Sequence, residues 1–102
     1  MHARIGILRL SDDTFDDALQ IVRTQALPSL RVMPGYRAGA VLCDRPGGTA
    51  LVITFWDTQE HLQQSEHEAA VLREDSAAAL GIGDVPVERY EVDVLDLGEG
   101  AG

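Results

Sequence analysis

Two periodicities alternate along the chain. From Ala3 to Leu10 the sequence ARIGILRL is apolar with arginine interruptions, the pattern of a strand in which Gly6 leaves room for another backbone or a ligand to approach. Phe15, Ala18, Leu19, Val22, Ala26, Leu30 and Met33 then recur three or four residues apart, one face of an amphipathic helix. Ser11, Asp12 and Asp13 open it with capping groups and first-turn acids. Pro28 has no N–H to return to Thr24, which predicts a kink or restart. Met33-Pro34-Gly35-Tyr36 closes the helix in a Pro-Gly turn.

The period then changes to two. YRAGAVLCD and TALVITFW flank the segment RPGG, a hairpin signal. In the second run Leu51, Ile53 and Phe55 fall on one face and Ala50, Val52, Thr54 and Trp56 on the other. Neither set is charged, so both faces are expected to be covered. Asp57 with Glu60 three residues on makes a capping-box-like start to a second helix, which runs to about Leu80 and ends at Gly81 and Gly83. In VPVERYEVDVLDL, Tyr90, Val92 and Val94 alternate with Arg89, Glu91 and Asp93 as a last strand. Residues 1–97 make one domain, and GEGAG, residues 98–102, is expected to be a flexible tail.

The order β-α-β-β-α-β predicts an α+β, ferredoxin-like fold: a four-stranded antiparallel sheet with two helices on one face. The other face is then a bare apolar surface, which marks an interface. A second copy related by twofold symmetry is the simplest cover, so a homodimer through the sheet face is expected.

Composition narrows the partners. The 102 residues are 45% hydrophobic and 25% charged, a globular mix at single-domain length. The net charge of −9, from 17 acids and 8 bases, repels phosphate backbones and anionic headgroups, so neither nucleic acid nor a membrane surface is an expected partner. No apolar run approaches the roughly 20 residues of a bilayer span, and MHARIGILRL lacks the features of a signal peptide, which points to the cytoplasm. Cys43 stands alone and reads as a small strand residue, without an internal disulfide or a cysteine metal site.

Candidate chemistry gathers in FWDTQEHLQQSEHEAA, residues 55–70. Leu62, Ser65, Ala69, Leu72 and Ser76 form one narrow helical face, with His67 opposite and facing water. His61 lies about 50° from the centre of that stripe, where it serves either as a partly buried hydrogen-bonding residue or as a proton acceptor. The two histidines are six apart and diverge, so they do not make a metal pair. HEAAV places Val71 where a zinc-protease motif needs its second His. Ser65 and Ser76 have no evident base partner, and no nucleotide-binding glycine pattern occurs. Trp56 is either a core-edge hydrophobe or a flat wall for an aromatic ligand.

The helix-ending MPGY, the junction TFWDTQEHL and the closing VERYEV resemble the antibiotic biosynthesis monooxygenase-like domains of the dimeric α+β barrel superfamily, over Ala3 to Leu97. The resemblance implies a homodimer whose sheets form a barrel, with a ligand cavity between sheet and helices in each subunit. Some such proteins oxidise polycyclic aromatics with O₂ and no cofactor, and others degrade haem. Their strand-ending Trp maps onto Trp56. An Asn of the quinone-forming members falls at Val52, and the first-strand Asn of the haem-degrading members has no counterpart in ARIGILRL, which argues against haem breakdown.

Two functions of different class follow. One is a cofactor-independent monooxygenase, or an isomerase, for a small hydrophobic or aromatic metabolite, with Trp56 as stacking wall, His61 as proton acceptor and Arg89 as anion stabiliser. The other is a dimeric module that binds or senses such a ligand without turning it over. Neither needs a metal or cofactor. An enzyme should bring at least two titratable groups to the cavity wall, whereas a binder can be lined by apolar groups alone.

Overall fold

The computed structural model describes residues 1–98; the rest of the expected tail, 99–102, lies outside the described residues. The chain runs β1 (His2–Arg9), α1 (Asp12–Ile21), a π-helical stretch (Val22–Ala26), α2 (Leu27–Arg31), β2 (Tyr36–Asp44), β3 (Thr49–Trp56), α3 (Gln59–Gln64), α4 (Glu66–Leu80) and β4 (Val87–Glu91). Among the described residues the sheet has four strands in the order β2-β3-β1-β4, all antiparallel, the ferredoxin-like arrangement expected from the sequence.

Register assigns the two faces. Gly6 pairs with Val52 and Arg4 with Thr54, so Arg4, Gly6, Leu8, Ala50, Val52, Thr54 and Trp56 share the side covered by the helices. Phe15, Ala18, Leu19 and Val22 pack there on Leu8, Leu10 and Ala50, while Leu30, Leu62 and Ala69 pack around Trp56. Ile5, Ile7, Leu51, Ile53 and Phe55 take the opposite face and are only partly buried in the single chain.

The helices depart from the sequence reading in instructive ways. The first helix restarts at Pro28, one of the two outcomes expected: α2 begins at Leu27 with Pro28 in its first turn. The missing N–H is absorbed one turn earlier by the π-helical stretch, where Leu27 N–H reaches back to the Val22 carbonyl. The second helix starts from Thr58, not Asp57: the Thr58 hydroxyl accepts from His61 N–H at 3.1 Å. It is also two helices, parted at Ser65. Gly81 ends α4 in the left-handed region, φ 67°, as expected.

The turns hold to the pattern. Tyr36 N–H bonds the Met33 carbonyl across a turn with Gly35 at φ 83°, which a side chain rarely adopts. Gly48, at φ 67°, bonds back to Arg45 in the β2–β3 hairpin. The last strand is shorter than expected. Pairing with β1 stops at Glu91, and Val94, Leu95 and Leu97 beyond it are exposed.

Candidate functional site

Small residues make a space between helices and sheet. Gly6 on β1 and Ala18, Ala26 and Ala69 on the helices withhold side-chain volume from the sheet's covered face, leaving a half-open cavity of about 70 Å³. The π-helical stretch contributes Val22 and Ala26 to its wall, and such irregular turns occur often at functional sites. Leu8, Leu30, Val52, Leu72 and Leu80 make the lining mostly apolar.

Arg4 is the exception. It points from the centre of the sheet into this wall, with only 4% of its side chain exposed. Its Nη2 donates to the Leu62 carbonyl at 2.9 Å and to the Ser65 hydroxyl at 2.5 Å. The Ser65 hydroxyl in turn donates to the same carbonyl at 2.7 Å, so Arg4 and Ser65 together satisfy the backbone where α3 and α4 part. The guanidinium also lies 5.6 Å from the centre of the Trp56 ring, a cation–π geometry. Nε and Nη1 of Arg4 have no hydrogen-bond partner among the described residues.

Further charge surrounds it. Glu66 lies 3.4 Å from Arg4 Nη2 and accepts from Arg89 Nε and Nη2 at 2.6 and 2.8 Å. The Arg89 hydrogen bonds hold the Glu66 carboxyl below the usual carboxylate range, against the opposing effect of burial. Burial lowers Arg4, and the Glu66 charge partly restores it. Arg73, on α4, also lines the cavity and is lowered chiefly by burial.

The three residues singled out from sequence do not meet on this wall. Trp56 is fully buried behind Thr54 and Arg4: its indole N–H donates to the Thr54 hydroxyl at 3.0 Å, and its ring meets Tyr36 edge-on at 5.5 Å. Thr54 lines the cavity and Trp56 does not. His61 faces the turn at Gly35 rather than the cavity, and its Nδ1 shares a hydrogen bond of 2.6 Å with Asp57, whose carboxyl that bond lowers. Arg89 is bound to Glu66 and borders a separate open depression of about 250 Å³ with His2, Gln59 and Tyr90. His67 is exposed, as expected. Among the described residues no group of three His, Cys, Asp or Glu could hold a metal ion, and no helix is long and apolar enough to cross a membrane.

Sequence reasoning missed Arg4, Arg73 and Glu66. A signal for Arg4 was present. It shares its β1 face with Gly6 and Leu8, and a charge on the face destined for the helices must be buried and paired.

No family model matches the chain. Two uncharacterised proteins of Mycobacterium tuberculosis, Rv2557 and Rv2558, are each 26% identical to it, over 92 and 95 residues, which cover 90% and 93% of this chain. The chain spans about two fifths of the length of these curated relatives. Among solved structures, it is similar to a provisionally assigned antibiotic biosynthesis monooxygenase from Deinococcus radiodurans, with a TM-score of 0.77 and 18% identity over 98% of this chain and all of the other. It is also similar to a monooxygenase of Streptomyces coelicolor solved with the ligand nanaomycin D, with a TM-score of 0.76 and 12% identity over 96% of this chain and 92% of that one. A protein of unknown function from Nitrosomonas europaea gives 0.75 at 20% identity, over 97% and 95%. The chain therefore has the fold of the antibiotic biosynthesis monooxygenase-like proteins, the fold expected from its sequence.

Proposed function

We propose that the chain admits a small hydrophobic or aromatic metabolite to the cavity between helices and sheet and oxidises it as a cofactor-independent monooxygenase. The observation that carries this reading is an apolar cavity with a buried guanidinium in its wall, in a fold shared with a monooxygenase. Oxygenation without a cofactor needs an electron-rich anion of the substrate. A cation in a mostly apolar wall favours that anion far more strongly than it would in water. For a phenol the balance is simple: one O₂ is taken up, a ring C–H and the O–H are lost, and a quinone and one water leave. An apolar hole of about 150 Å³ takes benzene, and the space here is about half of that. It encloses a short branched chain, or part of a single ring whose remainder lies in the open side.

A second reading rests on a different observation. Arg4 and Arg73 are the titratable groups of the cavity wall, and neither can accept a proton. A wall without a base fits a module that binds or senses its ligand and leaves it unchanged. Oxygen-electrode assays with a panel of monocyclic phenols, beside native mass spectrometry for ligand retention, separate the two. Uptake of O₂ that depends on the protein and matches quinone formation supports the enzyme. Retention without uptake selects the binder, and neither removes both.

The proposal includes a cytoplasmic homodimer joined through the sheet's open face. Support comes from the contiguous partly exposed side chains Ile5, Ile7, Leu51, Ile53 and Phe55, flanked by the exposed Leu42 and Tyr90. Two such faces are self-complementary under a twofold axis. Each would remove the other's apolar surface from water.

A further inference from the structure

The cavity reading leaves open what kind of molecule enters, and Arg4 answers it. Buried N–H groups are almost always paired, because an unpaired one forfeits its hydration for nothing. Arg4 nevertheless keeps Nε and Nη1 unpartnered while only 4% of its side chain is exposed. The structural task of Arg4 at the α3–α4 junction uses Nη2 alone and leaves Nε and Nη1 with none. Removing a guanidinium from water is repaid only by good partners, and two of its three nitrogens lack one here.

The charges nearby do not neutralise it. Arg4 and Arg89 share one carboxylate, Glu66, whose two oxygens are both engaged by Arg89, and Arg73 feels Glu66 and, more weakly, Glu74. Three cations against two anions, Glu66 and Glu74, leave one positive charge in excess beside the cavity, in a chain whose net charge is −9. Arg73 lines the same cavity and makes no ion pair within 4 Å among the described residues.

Resting on the proposed ligand cavity, we propose that its ligand is a small organic monoanion, a short branched or monocyclic carboxylate. Its charged oxygens face the Arg4 guanidinium, whose unpaired Nε and Nη1 lie just beneath the cavity surface, Arg73 adds a second positive charge, and its apolar body lies against Leu8, Val22 and Val52. The ligand supplies the missing acceptors and a counter-charge in one step, and charge-assisted hydrogen bonds of this kind are about twice as strong as neutral ones. The enclosed volume sets the body at four or so carbons, with a ring reaching into the open side.

Calorimetric titration of the whole chain with isobutyrate and isobutyramide, and with benzoate and benzamide, tests this. Acid and amide match in shape and differ in charge. Each carboxylate is expected to bind at least tenfold more tightly than its amide. Arg4→Met should abolish that preference while the amide still binds, and Arg73→Gln should weaken the carboxylate alone. Equal affinity for acid and amide overturns the anion proposal and keeps the cavity, the Arg4 N–H groups then being served by water. Failure of all four probes overturns the cavity reading together with it. Should Arg4→Met not fold, the acid-to-amide ratio of the parent and the Arg73→Gln titration decide the matter unaided.

Discussion

Glu66 accepts from Arg89 through both Nε and Nη2, at 2.6 and 2.8 Å, and stands 3.4 Å from the buried Arg4. One carboxylate thus joins the first turn of α4 to two neighbouring strands, β1 and β4. Its native pKa lies below the ordinary 4.5, first because of the Arg89 hydrogen bonds. A depressed carboxylate stabilises the fold fully above its unfolded pKa, and that stabilisation is lost as pH falls through the native value. Thermal melting should therefore be insensitive to this group from neutrality to about pH 4.5 and should decline below it. Glu66→Gln should melt lower at neutral pH and lose part of the acid dependence. Breaking a fully buried pair costs roughly 3–5 kcal/mol. With 27% of the Glu66 side chain exposed and screened by water, about 2 kcal/mol is expected. Asp57, lowered by His61, titrates in the same direction in both proteins and cancels from the comparison. Parallel pH profiles for parent and variant would show that the Glu66 cluster adds nothing.

Gly35 holds the turn into β2 at φ 83°, and a Cβ there would fall inside contact distance of His61 Cβ and of the Asp57 carboxylate. Its carbonyl also accepts from Asp57 N–H at 2.9 Å. Gly35→Ala therefore meets two penalties, an unfavourable backbone region and a clash with the His61–Asp57 pair. The backbone penalty alone is about 1–3 kcal/mol. Urea denaturation should show at least that loss, with the m-value unchanged. A variant as stable as the parent would show that His61 and Asp57 move aside freely.

The elements legible in the sequence are those set by local patterning. MPGY demands a turn with a glycine at positive φ, and Phe15, Ala18, Leu19, Val22 and Leu30 are buried as their spacing predicts. What escaped depends on partners distant in sequence. Ser65 parts α3 from α4 where a guanidinium from β1, 61 residues away, takes its hydroxyl. Thr58 displaces Asp57 as the cap because Asp57 finds His61 at the end of the helix's first turn. Pro28 was expected to kink or restart the helix, and α2 does restart there, but the π-helical turn of five residues that precedes it is a choice propensity does not foretell. The site shows the same division. Aromatic and histidine residues draw the eye to positions 55–70, whereas the cavity's charge comes from arginines that composition places anywhere on the surface.

Trp56 is fully buried, with its N–H on Thr54, its ring edge-on to Tyr36, and Arg4 on its face. Replacing it by Phe removes ring volume and the hydrogen bond to Thr54 together. The expected loss is about 1–3 kcal/mol, short of the roughly 3–5 kcal/mol of truncation to Ala. Ligand effects should be second-hand, because Thr54 and Arg4 stand between the indole and the cavity. Denaturation of Trp56→Phe beside a benzoate titration measures both. Unchanged stability with abolished binding would instead make Trp56 a wall of the site.

Val52 and Ile53 are neighbours on β3 that face opposite ways, Val52 lining the cavity beneath the helices and Ile53 lying between Ile5 and Ala40 on the open face. A carboxylate at Val52 enters an apolar interior within one chain, at a cost of several kcal/mol whatever the assembly. The effect of a carboxylate at Ile53 depends on the proposed partner. In a lone chain that face borders water and the change is mild. In a homodimer through this face it buries a like charge from each copy in the interface, without a partner of opposite sign. Val52→Asp should thus lower the melting temperature equally at every protein concentration. Ile53→Asp should shift sedimentation from dimer to monomer and remove the rise of melting temperature with concentration that a coupled dimer shows. If the parent sediments as a monomer at micromolar concentration, and Ile53→Asp melts as it does, the sheet face has no second copy to meet.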